Sequence, residues 1–216
     1  MSKIYEIRAI GELEHDKEEG SRTVHGLAIP IESRSGMLYI KNKKIYETIE
    51  RSAVNEELIT DNDIKLYVNH DPSQGTFARS KYGEGSLNLM ITDRGLEFTT
   101  ELPKTQKGDE LLQGIERGDY DAISFRMIVG KEHYDEKPNE DGSWNRYIDN
   151  IRWLDEISIL SQRPAYSETN VDLRSLEAVE QEYEERQKEE ASKAKEAVIE
   201  KLDSIMKEIE ELAKTE

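Results

Sequence analysis

From its start to about position 174 this chain is a run of short segments in which apolar and polar residues alternate, each closed by glycine, aspartate or proline. RTVHGLAIPI, DIKLYVNH, GTFARS, SLNLMIT, GLEFTTELP, DAISFRMIVG and RYIDNIRWLDEISIL all have this form. MSKIYEIRAI mixes charge with alternating apolar residues and reads as a strand rather than a signal peptide. Period-two alternation sends successive side chains to opposite faces of a strand, and the punctuating residues supply the turns. The expected fold is α+β but mainly β, a barrel or sandwich of about seven strands flanked by helices. Two segments carry a helical pattern: ETIERSAVNEELI over residues 47–59, and TQKGDELLQGIERG, where Leu111, Leu112 and Ile115 form an apolar stripe and Gly118 supplies a stop. EKPNEDGSW at 136–144 reads as a hairpin tip between two strands.

Beyond Arg174 the composition changes. Residues 175–216 hold 14 acidic and 7 basic residues with no glycine or proline, the make-up of a long exposed helix. This divides the chain into a domain over 1–174 and a charged helical extension over 175–216. Val198, Leu202, Ile205, Ile209 and Leu212 follow the spacing of a heptad seam. Such a seam serves packing on its own domain, self-association or docking on a partner, and the spacing does not choose among them.

Charge and cysteine content exclude several classes. A net charge of −17 opposes binding to a nucleic-acid backbone, where lysine and arginine must neutralise phosphates, so protein partners are expected. With no cysteine there is no disulfide scaffold, cysteine nucleophile or thiolate zinc site, and a reducing cytoplasm is the expected setting. No apolar run is long enough to span a membrane.

Three distant segments carry residues suited to one reaction centre. In DIKLYVNH, Ile64, Leu66, Val68 and His70 share one face, so the imidazole is expected to extend a buried row just before Asp71-Pro72 ends the strand. A half-shielded histidine suits a general base. In DAISFRMIV, Ile123, Phe125, Met127 and Val129 take one face, and Ala122, Ser124, Arg126 and Ile128 the other. Ser124 becomes nucleophilic only beside a base, and no GxSxG elbow surrounds it. In WLDEISIL, Glu156 and Ser158 share a side and Asp155 takes the other. A buried Glu156 needs a partner: an imidazole to orient, or a salt bridge to Arg152 or Arg126. A metal-dependent hydrolase using His15, His25, His70 and nearby acids is the alternative chemistry, but no HExxH or comparable cluster supports it, and no cofactor or metal is expected.

VHGLAIPIES, YVNHD, GLEFTTELPKT, IERGDYDAISFRM and WLDEISILSQRPAYSETNVDLR, in this order, resemble the tailed-phage prohead protease family, serine peptidases of capsid maturation whose fold is similar to that of the herpesvirus assemblins. The resemblance runs from about Val24 to Arg174. It implies a herpesvirus-protease-like barrel with His70 as general base, Ser124 as acylated nucleophile and Glu156 as third member. The herpesvirus relatives use a second histidine there; here the remaining candidate, His133, falls before the hairpin loop, and Asp71 and Asp155 are rivals to Glu156. Arg163 lies where the assemblins carry an arginine-bearing oxyanion segment, which makes its backbone amide a candidate donor. The implied substrates are the major capsid protein and scaffolding segments inside an assembling prohead in the host cytoplasm, followed by self-cleavage, with the acidic helix as a scaffold-like or targeting extension. Self-association of the chain is also implied. An inactive assembly factor with the same fold is the alternative.

Overall fold

Alternation is realised as strands wherever one parity of side chains finds a core. In the computed structural model, which describes residues 5–40, 42–161 and 174–212, eleven strands form one sheet. They are β1 (Glu6–His15), β2 (Thr23–Pro30), β3 (Leu38–Ile40), β4 (Lys43–Ile49), β5 (Asp63–Val68), β6 (Ala78–Lys81), β7 (Glu84–Gly85), β8 (Asn88–Thr92), β9 (Gly95–Glu101), β10 (Ala122–Tyr134) and β11 (Trp144–Leu160). Their order is β7-β6-β5-β11-β10-β1-β2-β9-β8, with β4 on β11 and β3 on β4. The two ends of that path, β7 and β8, are joined by Ser86 and Leu87. Leu87 N–H donates to Arg79 O at 3.1 Å and Thr100 Oγ1 to Ser86 O at 2.8 Å, so the sheet curls into a nearly closed barrel.

The last strand is the spine of this sheet. β11 pairs antiparallel with β10 along one edge, while its other edge receives β4 in parallel at Trp144–Ile148 and β5 in parallel at Glu156–Ile159. Period two sorts the faces: Ile123, Phe125 and Met127 of β10, Ile157 and Ile159 of β11, and Ile64, Leu66 and Val68 of β5 are all buried in one core. Each such side chain contributes roughly 1.5–3 kcal/mol by leaving water. Ser124, Glu156 and Ser158 stand on the opposite parity.

Two short helices frame the barrel. α2 (Gln106–Arg117) starts at Thr105, whose side chain accepts from Gly108 N, and ends at Gly118 in the left-handed conformation with φ 79°. A side chain at Gly114 would lie 2.5 Å from the Tyr120 ring, so the helix can turn tightly into β10 only because glycine stands there. The expected helix over 47–59 is corrected. β4 takes the chain through Ile49, a single 3₁₀ turn covers Arg51–Ala53, and α1 spans only Glu56–Thr60. Ile45, Glu47 and Ile49 are buried in strand alternation beside β11, and Asn55 caps α1 by accepting from Leu58 N, which fixes where helix can begin. The hairpin tip lies between β10 and β11 as expected.

Inside the barrel wall sits a cluster of charge. Arg8 of β1 meets Glu6 at 2.7 Å and Glu47 of β4 at 2.5 Å; Arg146 of β11 meets Glu6 and Glu47, both at 2.7 Å, and also Glu132 of β10. Both guanidinium groups are wholly buried.

The chain divides into two compact units, Met1–Asp172 and Leu173–Glu216. The second contains α3 (Arg174–Leu212), a single helix on which Val198, Ile199 and Leu202 are exposed. The side chains of Ile205, Ile209 and Leu212, the rest of the expected seam, lie outside the described residues. No described helix is long and apolar enough to cross a membrane.

Candidate active site

β5 stops at Val68, two residues earlier than its sequence pattern suggests. Asn69 N–H still bonds Ile159 O at 2.9 Å, but Asn69 and His70 have φ of 50° and 57°, two successive left-handed residues. The expected alternation, which would have carried His70 onto the core face, breaks here. The imidazole swings instead to the opposite face of the sheet, where Ser124 and Glu156 stand. Left-handed backbone costs a non-glycine residue on the order of 1–3 kcal/mol, so the turn must be held by other contacts. Asn tolerates this conformation best, and Asn69 Oδ1 accepts from Ser161 N at 3.0 Å and Ser161 Oγ at 3.2 Å. His70 N–H donates to Ser158 Oγ at 2.8 Å.

Register brings the other side chains beneath the ring. Ser124 is the cross-strand partner of Ser158, and Arg126 that of Glu156, so serine and glutamate lie diagonally on one face of β10 and β11. His70 Nε2 is 2.8 Å from Ser124 Oγ, and His70 Nδ1 is 2.5 Å from Glu156 Oε1. A carboxylate accepts only, so the ring proton belongs on Nδ1, and Nε2 is left to accept from the serine hydroxyl. Ser124 is completely shielded and Glu156 is 1 % exposed, while the His70 side chain keeps 21 %. The imidazole is therefore the member that solvent reaches.

The rival residues have other partners. Asp71 caps the turn after His70, accepting from Ser73 N at 2.9 Å and from Gln74 Nε2 at 3.2 Å, and hydrogen bonds from Ser73 hold its carboxyl below the usual range. Asp155 pairs with Arg126. Strict alternation had set Asp155 and Glu156 on opposite sides, but the ladder slips between Arg126 and Met127, and this β-bulge at Asp155 brings both acids to one guanidinium. His25 faces Asp16 at 3.4 Å and His133 faces Asp149 at 2.9 Å. Among the described residues no group of three or more His, Asp or Glu side chains converges as a metal site. Arg163 lies outside the described residues.

Ser158 and Asn69 are contributors that residue-by-residue reading did not single out. The signal available for Ser158 was its shared parity with Glu156 in an otherwise apolar strand. For Asn69 it was an asparagine at a strand end, the residue that a left-handed turn favours.

A hydroxyl, an imidazole and a carboxylate in one hydrogen-bonded line is an arrangement that serine hydrolases carry on several unrelated folds. The sequence profile of the caudovirus prohead serine proteases matches residues 10–182, a stretch that includes all three groups and nearly every strand. The chain belongs to this family of serine peptidases. Among solved structures it is similar to the bacteriophage T4 capsid assembly protease gp21, at 11 % identity and a TM-score of 0.45, over 74 % of this chain and 99 % of that one. Nothing among the curated proteins matches.

Proposed function

We propose that this chain is the serine endopeptidase of prohead maturation, with Ser124 as nucleophile, His70 as general base and Glu156 as third member. One observation carries the reading: the unbroken line from Ser124 Oγ through both ring nitrogens of His70 to Glu156 Oε1, at 2.8 and 2.5 Å. An isolated serine has no accessible alkoxide at neutral pH, but a hydroxyl already donating to Nε2 can lose its proton as it attacks a peptide carbonyl. Glu156 holds the Nδ1–H tautomer and balances the imidazolium that forms. The imidazolium then protonates the leaving amine, the acyl group rests on Ser124 Oγ, and water activated by the same ring releases it. Backbone amides bind the developing oxyanion, and the family resemblance makes the Arg163 amide a candidate donor.

The substrates assigned by this reading are the major capsid protein and its scaffolding segments, met inside the assembling prohead in the host, and then the chain itself beyond Arg174. Wild type and Ser124→Ala, purified in parallel and followed by intact mass, test it. Wild type should accumulate fragments, including one lacking the region after Arg174, and the variant should stay whole. Identical mass histories would overturn the reading. The complete shielding of Ser124 favours a second one, an inactive assembly factor on the same fold, for which Ser124→Ala would leave capsid maturation unchanged.

A further inference from the structure

We propose that Arg126 is a positioning residue for the Ser124–His70–Glu156 line: its guanidinium fixes the second oxygen of Glu156, and Asp155 fixes the guanidinium. This inference rests on the peptidase reading above. Glu156 spends Oε1 on His70, and its buried Oε2 has no hydrogen bond. The nearest countercharge on that side is Arg126 Nη2, 3.3 Å away. An ionised carboxylate so thoroughly removed from water is costly unless a cation stands beside it, and a neutral Glu156 could neither fix the Nδ1–H tautomer nor balance an imidazolium.

The local backbone is arranged around this contact. In a regular ladder Asp155 would point away from the Arg126–Glu156 pair; the bulge turns it back so that Nη2 lies between two carboxylates. Arg126 Nε is buried without a hydrogen-bond partner, so the side chain gives up one of its own bonds to reach this position. The Tyr5 ring stacks against the guanidinium with 5.3 Å from ring centre to Cζ.

Other charges near the pair are engaged elsewhere. Lys65 of β5 is the register partner of Glu156, but its Nζ binds Asp63 O at 3.0 Å and lies 3.4 Å from Asp63 Oδ2. Tyr67 of β5 is the register partner of Ser158, and Asp71 caps its own turn. Among the described residues, Arg126 is the arginine or lysine within ion-pair reach of Glu156.

Two measurements test this. In active enzyme, Arg126→Met should lower kcat by about a hundredfold, the cost of roughly an ångström of misplacement, with KM little changed. Loss of a nearby cation also makes the His70–Glu156 pair bind its proton more tightly, so the acid limb of kcat/KM should move to higher pH. Arg126→Lys should restore the limb and most of kcat. On a Ser124→Ala background, the NMR resonance of the His70 Nδ1 proton should move or broaden in Arg126→Met and return in Arg126→Lys. If Arg126→Met does not fold, Arg126→Gln and Asp155→Asn carry the same readings with smaller expected effects. A loss confined to KM would make Arg126 a substrate contact, and a loss confined to melting temperature would make it structural; either overturns the proposal. Failure of the peptidase reading would show separately, as no cleavage by wild type, because the NMR measurement needs none.

Discussion

A carboxylate and an amide have nearly the same shape, which makes Glu156→Gln the sharpest probe of the site. The glutamine amide can donate to His70 Nδ1, which would force the ring proton onto Nε2 and leave Ser124 without an acceptor. The variant should fold like wild type and lose roughly 10³–10⁴ in kcat, measurable by cleavage rate at saturating substrate. Ser158→Ala tests the support of the turn. It strands the His70 N–H that now donates at 2.8 Å, a loss of about 1–3 kcal/mol that thermal unfolding should register together with a fall in kcat. His70, Ser124 and Glu156 were legible as residues because their chemistry is unusual in apolar strands. That they meet was implied by the family resemblance and not by the strand pattern, because the meeting depends on two left-handed residues and on the register between strands.

Strands were legible wherever alternation met punctuation, and α2 was legible from both of its ends, Thr105 and Gly118. β4 was not. ETIERSAVNEELI has helical spacing, but Ile45 and Ile49 are claimed by β11, and tertiary pairing outweighs the weak propensities of a short segment. The bulge at Asp155 escaped for a related reason: it arises where β11 must match β10 and β5 at once, which no single strand records. Phe125 tests the core side of this arrangement. It is wholly buried behind Ser124, and Phe125→Ala should cost about 3–5 kcal/mol in urea unfolding by leaving a cavity between β10 and its neighbours.

At the scale of the molecule, acid is the informative stress. Burial pushes Glu47 up, yet Arg8 and Arg146 outweigh it and hold its carboxyl below the ordinary value of 4.5. Burial likewise pushes Arg146 down, and Glu6 and Glu47 outweigh it to leave the guanidinium well above its ordinary value. A carboxyl depressed by folding stabilises the folded state above its unfolded value and ceases to as pH falls. Melting temperature should therefore hold level to about pH 5 and then decline. Asp63, hydrogen-bonded by Arg79 and held at about 2, extends that decline towards the same pH. Glu47→Gln should flatten the upper part of the curve and lower the neutral-pH melting temperature, since removing one partner from a buried ion cluster costs about 3–5 kcal/mol.

β11, the last of the described strands, stands in the middle of the sheet, between β5 and β10, and it also carries Glu156. On the ribosome, the two halves of the path must wait for it: a nascent chain halted before Trp144 can pair β10, β1, β2, β9 and β8 on one side and β5, β6 and β7 on the other, but it has neither the central seam that joins them nor Glu156. Under the peptidase proposal, synthesis and activation are thereby placed in sequence. Chains released before residue 144 should be soluble only with chaperone help and, on the function proposed above, should show no peptidase activity.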